Sequence, residues 1–191
     1  MQHSIHDLIS NQFTRNLVAL KGTLNKAVEY ATERKFDENN YLTLRIAPDM
    51  FDFKRQVQIT TDGAKGAVAR LTGKTAPVFD DTEKTFKELV ERVDKTIEFV
   101  SSAKPEEFKD YASKTMKFPF RPGVYLKGED YLVSHAIPNF YFHMTVAYCL
   151  LRAAGVPIGK GNFLGEKVLF FFKPLLFAQK VSFSNRNAGR S

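Results

Sequence analysis

Apolar residues recur at spacings of three and four along four stretches of the chain. In the first stretch, about residues 5–34, seven positions carry the repeat: Ile9, Phe13, Leu17, Leu20, Leu24, Ala27 and Ala31. Similar stripes occupy residues 48–73, the stretch after residue 83, and residues 128–155. This spacing places apolar side chains on one face of an α-helix. Four such stripes are buried most simply against one another, so the sequence predicts an all-α four-helix bundle.

The expected helix boundaries follow from residues that favour first turns and caps. Pro48 fits the first turn of the second helix, and Gly73 is expected to end that helix. Asp80 lies three residues before Glu83, which is the spacing of a capping box, and Phe86 opens the next apolar stripe. We therefore expect helix two to begin at Pro48 and helix three just after Asp80.

The connection between helices three and four has a different pattern. Residues 104–127 contain three prolines and a glycine, and apolar residues alternate with other residues on both sides of Arg121, Pro122 and Gly123. Alternation around a turn-forming tripeptide is typical of two short paired strands. The sequence predicts a short β-hairpin or irregular segment at this place.

The fourth helix carries a polar row on a face that should be buried. His135, Asn139 and His143 follow one another at intervals of four residues, beside the apolar stripe of Phe142 and Val146. Side chains four residues apart are neighbours along a helix and can share a ligand, a proton or a metal. We expect His143 and Asn139 to face the inside of the bundle.

Pro138 lies within this fourth helix. It has no amide hydrogen, so it should leave the carbonyl of Ser134 without its usual partner and kink the helix beside His135 and Asn139. The kink could serve packing alone, or it could open room for a ligand, and the residues favour neither interpretation.

Other residues of the fourth helix are weaker candidates. Tyr141 and Tyr148 share another face, where they could bracket a ligand hydroxyl or pack at a boundary between helices. Cys149 lies about 120° from His143 on the helical wheel, which is too far for a Cys–His pair in one helix. We expect Cys149 to be a small core residue.

Composition and charge define one domain and a distinct tail. Of 28 basic and 21 acidic residues, five and one lie in residues 166–191, so residues 1–165 carry only a small positive charge. We divide the chain into a bundle domain, 1–165, and a C-terminal extension, 166–191, that could pack on the bundle, anchor it to a membrane surface or partner, or be an aberrant end. The single cysteine excludes an internal disulfide and favours a cytoplasmic protein.

Short motifs give the chain a family resemblance. It resembles a domain family of unknown function within the DinB/YfiT-like superfamily of four-helix bundles, from about residue 5 to residue 165. The motifs are Ala47–Phe51 with Gln56, Asp81–Phe86, and Pro138–His143. The resemblance implies the DinB-like bundle fold. It also implies, in metal-binding members, a histidine on helix two and a His-x-x-x-His pair on the last helix that together hold a catalytic divalent metal.

This sequence departs from that metal pattern. Helix two has no histidine, and Asn139 and Ala147 stand four residues before and after His143. Gln56, Gln58 or Asp62 could present oxygen, but on a straight helix they lie roughly 90° or more from the apolar stripe. We therefore expect no metal site and no cofactor, although weak divalent-metal binding at His143 stays open.

Two classes of function remain. The first is a small-molecule site in the bundle core, binding only or acting as a weak transferase or hydrolase, with His143 as the acid or base and Asn139 orienting the ligand. Its expected ligand-binding residues are Asn139, His135, Tyr141, Tyr148 and Gln56. The second is a non-enzymatic helical module for a protein partner, with nucleic acid ranked lower because the basic residues of helix two are not clustered. A homodimer stays open in both cases.

Overall fold

The computed structural model describes residues 3–117 and 123–165. The secondary-structure elements, in chain order, are α1 (Gln12–Arg34), α2 (Phe53–Thr72), α3 (Phe86–Ser101), β1 (Thr115–Lys117), β2 (Tyr125–Lys127), α4 (Gly128–Tyr131), α5 (Ile137–Ala153) and α6 (Lys160–Leu164). A π-helical turn, Asp7–Asn11, precedes α1, and a second one, Leu132–Ala136, joins α4 to α5.

The long helices form a four-membered ring around one apolar core. Helix α1 packs against α3 and α5, and α2 packs against the same two helices, while α6 covers α1 from outside. The core is built from side chains of all four long helices, among them Phe13, Phe53, Phe86 and Phe140. The predicted all-α four-helix bundle is therefore confirmed. None of the helices in the described residues is long and apolar enough to cross a membrane.

The predicted hairpin between the third and fourth long helices is also confirmed. Strands β1 and β2 pair antiparallel, with Met116 opposite Leu126. Of the predicted turn residues, Arg121 and Pro122 lie outside the described residues. The hairpin leads directly into α4 at Gly128, where a Cβ would fall 1.7 Å from the carbonyl oxygen of Tyr111, so only glycine fits.

The expected starts of helices two and three were wrong by a few residues. Helix α2 begins at Phe53, because the side chain of Asp52 accepts a hydrogen bond from the amide of Arg55, and Pro48 lies in the preceding loop. The capping box of α3 is formed by Thr85 and Glu88 rather than by Asp80 and Glu83. Two successive acceptor–x–x–Glu spacings occur in this segment, and the one next to the apolar stripe caps the helix.

A π-helical turn occupies the place where we expected a proline kink. The turn at Leu132–Ala136 ends just before Pro138, which lies in the first turn of α5. Ala136 and Ile137 both have helical dihedral angles, so the chain continues from the π turn into α5 without a break, and the amide that Pro138 lacks falls where the helical hydrogen-bond ladder is already irregular. The extra residue in the π turn also means that His135 and His143 do not lie on one uninterrupted α-helix.

The buried face of α5 includes Val146, as we expected, but two other residues that we expected to be buried are exposed. Phe142 is 54% exposed, and Cys149 is exposed as well, so both expectations of burial were wrong. Burial instead centres on Phe140, Met144 and Ala147. Because α5 is apolar around most of its circumference, the sequence specifies the direction of burial only weakly.

Candidate functional site

A chain of two hydrogen bonds fixes His143 at the interface of α2 and α5. His143 is only 9% exposed, and its Nδ1 lies 2.7 Å from Oε1 of Gln56, which is 1% exposed. The amide nitrogen of Gln56, Nε2, donates to the carbonyl oxygen of Phe51 at 3.0 Å. Because that donor is committed to Phe51, Oε1 of Gln56 faces His143 as an acceptor, and Nδ1 of His143 must carry the proton.

This arrangement sets the protonation state of His143. With the proton on Nδ1, the neutral ring presents an unprotonated Nε2. Burial lowers the pKa of His143 below its ordinary value, and the nearby positive charge of Arg55 lowers it further. No hydrogen-bond partner of Nε2 lies within residues 3–117 and 123–165. At neutral pH the ring is therefore uncharged and offers a lone pair at a mostly buried position.

The burial of Gln56 corrects its expected orientation. We placed Gln56 and Gln58 well away from the apolar stripe of helix two, yet both are almost fully buried. The reason is that α2 packs against two helices, so its buried face is wide. Gln56 points to α5 and meets His143, whereas Gln58 bonds Glu83, which lies just before α3.

The other members of the polar row lie near the same interface. Asn139 is half-buried, and its Nδ2 would lie 3.6 Å from a Cβ built on Gly63 of α2. The Asn139 amide thus packs close to the backbone of α2 at Gly63. His135 stacks on the ring of Tyr131, with 5.6 Å between ring centroids.

The two predicted tyrosines belong to another face of α5. The hydroxyl oxygen of Tyr141 accepts hydrogen bonds from Gln12 at 2.7 Å and from Asn16 at 2.9 Å, both on the α1 side. Tyr148 packs edge-to-face on Phe163 of α6, with 5.7 Å between ring centroids. Of the predicted site residues, the structure therefore brings Gln56, Asn139 and His143 to the α2–α5 interface and separates the two tyrosines from them.

A second buried polar cluster, centred on Arg92 of α3, was missed by the sequence analysis. Arg92 is 2% exposed, and it pairs with three carboxylates: Asp62 at 2.7 Å, Asp81 at 2.8 Å and Glu83 at 2.8 Å. Its Nε also donates to the hydroxyl of Thr61 at 2.7 Å. An arginine that falls on the apolar stripe of an amphipathic helix was the available signal for such a cluster.

The Arg92 cluster lowers the pKa of two of its carboxylates. Burial acts to raise the pKa of Asp81 and of Glu83. The opposing effect is larger: Arg55 and Arg92 bond Asp81, while Arg92 and Gln58 bond Glu83, so both pKa values lie below the ordinary range. These carboxylates stay charged and hold the connection between α2 and α3 onto both helices.

Comparison with known proteins gives the family of this fold. Residues 5–164 match the family described as Domain of unknown function (DUF1993). The chain belongs to the DUF1993 family. It is also similar to the crystal structure of a DinB family member from Shewanella denitrificans, at 40% identity and a TM-score of 0.81, over 84% of this chain and 92% of that one. No curated protein matches the chain.

The residues around His143 in this DUF1993 domain do not fit the three-histidine metal site that the DinB resemblance implies. Within residues 3–117 and 123–165, no group of three or more His, Cys, Asp or Glu residues could hold a metal ion. His143 is bonded to the amide of Gln56, and Asn139 takes the position four residues before it on α5; amides are poor ligands for zinc. That this protein holds no tightly bound transition metal stays a prediction.

Proposed function

We propose that this DUF1993 protein binds a small molecule at the interface of α2 and α5, where Nε2 of His143 accepts a hydrogen bond or a proton from the ligand. The observation that carries the proposal is the fixed tautomer of His143. Gln56, itself held by the carbonyl of Phe51, accepts from Nδ1 at 2.7 Å and thereby directs the lone pair of the ring to Nε2. An oriented acceptor at a buried position fits a polar ligand group.

The same geometry supports proton transfer as the chemistry of the site. A neutral imidazole whose pKa is lowered by burial is a competent general base at neutral pH. Asn139, on the turn before His143, would orient the ligand with its amide. Transferase or hydrolase activity is the reaction class that the DinB resemblance suggests, with the metal site degenerate. We expect the protein to act in the cytoplasm.

The experiment that tests this proposal compares three variants in a ligand screen. A library of small polar fragments is screened by thermal shift against the wild-type protein and against His143→Phe, Asn139→Leu and the matched control His3→Phe, which makes the same change at an exposed histidine. We expect fragments that raise the melting temperature of the wild type and of His3→Phe but not of His143→Phe.

Two results would contradict the proposal. One is a library that stabilises none of the proteins, and the other is a set of fragments that stabilises His143→Phe as well as the wild type. Either result would favour the helical interaction module, in which the α2–α5 interface serves packing alone.

A further inference from the structure

A cleft rich in basic side chains lies at the N-terminal end of α2, next to the hydrogen-bond chain that holds His143. It has a volume of about 340 Å³, and its walls include Arg45, Lys54 and Arg55. The ring of Phe51 also lines it and is 56% exposed. The cleft therefore combines positive charge with an accessible aromatic surface.

Both carboxylates that line the cleft already have hydrogen-bond or ion-pair partners within the protein. Asp52 caps α2 by accepting from the amide of Arg55 at 2.9 Å, and it pairs weakly with Arg45 at 3.5 Å. Asp81 uses one oxygen for Arg55 at 2.6 Å and the other for the buried Arg92 at 2.8 Å. Neither carboxylate approaches Lys54, which has no ion pair or hydrogen bond within the described parts of the chain. Positive charge at Lys54 thus remains uncompensated.

One residue joins this cleft to the His143 site. The side chain of Phe51 forms part of the cleft wall, and its carbonyl oxygen accepts the hydrogen bond from Gln56 that orients His143. Only two hydrogen bonds, 3.0 Å and 2.7 Å long, separate the backbone of the cleft from the imidazole. The cleft is therefore connected to the imidazole through the backbone of Phe51 and the side chain of Gln56.

We propose that this cleft is an anion-binding site whose ligand is a carboxylate or phosphate monoester attached to an apolar or aromatic body. This inference goes beyond the proposed function of His143 and does not depend on it. Lys54 and Arg45 supply charge to the anion, since a guanidinium and an ammonium are the usual partners of carboxylate and phosphate oxygens. The exposed ring of Phe51 provides the surface for the apolar body.

Binding of an anion in the cleft should affect His143 electrostatically. Arg55, whose charge acts on His143 from α2, also lines the cleft. An anion next to Arg55 offsets that charge and therefore favours the protonated ring, so occupation of the cleft should raise the pKa of His143. An anion bound far from both Arg55 and His143 has little effect on this pKa.

The test uses three probes on the full chain: phenyl phosphate, benzoate, and the uncharged benzyl alcohol. Binding and the titration of His143 are followed by NMR in the wild type, in Arg45→Gln/Lys54→Gln, and in the matched control Arg34→Gln/Lys87→Gln, whose residues lie outside the cleft. Arg55 is kept because it pairs with Asp81. We expect at least one anion to bind the wild type and the control, to raise the pKa of His143, and to bind the cleft variant about tenfold more weakly or worse. The stronger of the two anions identifies the acidic group.

Three results would overturn the inference: no binding of either anion, binding of benzyl alcohol as tight as that of the anions, or equal binding to the cleft variant and the control. The failures of the two proposals are distinguishable through His143→Phe. If this variant loses the fragment-induced stabilisation but the anions show any of these three results, the proposed function stands and the anion cleft does not. If the anions bind as expected and fragments stabilise His143→Phe and the wild type equally, the cleft stands and the role of His143 fails.

Discussion

Two buried polar clusters contact α2, and they differ in how completely the protein satisfies their hydrogen bonds. At the α3 side, Arg92 directs its donors to three carboxylates and to Thr61, and it is 2% exposed. At the α5 side, His143 is 9% exposed and has one hydrogen bond, to Gln56, within the described residues. A cluster whose partners are all supplied by the protein holds the fold together. A cluster in which one ring nitrogen has no hydrogen-bond partner in the described residues is suited to bind a ligand.

The largest expected effect comes from breaking the Arg92 cluster. Arg92→Met removes the cation and leaves Asp62, Asp81 and Glu83 without their common partner. We expect a loss of about 3 kcal/mol in the free energy of unfolding, at the low end for a buried ion pair that loses one partner, because Asp62 and Asp81 are about a third exposed and stay partly hydrated. Urea denaturation measures this loss. The control is Lys95→Met, an exposed cation on the same helix, and a loss no larger than that of the control would contradict the structural role.

The second prediction concerns the pH dependence of stability. The pKa values of Asp81 and Glu83 are lower in the folded protein than in the unfolded chain, so the unfolded chain takes up protons first as the pH falls. The stabilisation is complete above the unfolded pKa values of about 4, and is lost as the pH falls through the lower folded values. Denaturation curves between pH 2 and 7 should show this loss in the wild type and in Lys95→Met. In Arg92→Met the free energy of unfolding should depend less steeply on pH. Equal dependence on pH in Arg92→Met and the wild type would contradict the prediction.

The two clusters also differ in how far the sequence could predict them. Helical spacing located the helices because residues such as Phe13 and Leu17 repeat at short range, and the unusual polar row located His143. The partners of His143 and Arg92 depend on contacts between distant parts of the chain. Gln56 precedes His143 by 87 residues, and Asp62 precedes Arg92 by 30.

The sequence also predicted poorly which faces of α2 and α5 are buried. On α5, which is apolar on most sides, the spacing placed Phe142 and Val146 on one buried stripe, but only Val146 is buried and Phe142 is 54% exposed. On α2, a single stripe suggested one buried face, but contact with both α3 and α5 buries Gln58 as well as Gln56. Tertiary packing, which no local pattern encodes, decided both cases.

An intermediate effect is expected at the Gln56–His143 pair. Gln56→Leu or His143→Phe alone leaves one polar group buried without its partner, which costs about 1–3 kcal/mol. In the double variant both partners are apolar, so the total cost should be smaller than the sum of the single costs. A double-mutant cycle measured by chemical denaturation gives this coupling. Strict additivity would show that the 2.7 Å contact contributes nothing to stability.

The smallest expected effect is a shift in the titration of His143. Its pKa should lie below the ordinary value of 6.5, mainly because of burial and in part because of Arg55. Arg55→Gln removes the second cause and should move the pKa upward, while Lys87→Gln, outside the cleft, should leave it unchanged. The chemical shift of the ring proton on Cε1, followed against pH, reports this value. A wild-type pKa at or above 6.5 would contradict the burial that the structure shows.

The central claim is that Gln56 holds His143 as the neutral tautomer with its proton on Nδ1 and a lone pair on Nε2. Nitrogen-15 NMR of the imidazole at neutral pH tests this most directly, because the two ring nitrogens have different shifts when one is protonated and the other is not. The account predicts a protonated Nδ1 and an unprotonated Nε2, and in Gln56→Leu a loss of this preference. A proton on Nε2, or a fully protonated ring, in the wild-type protein would contradict it.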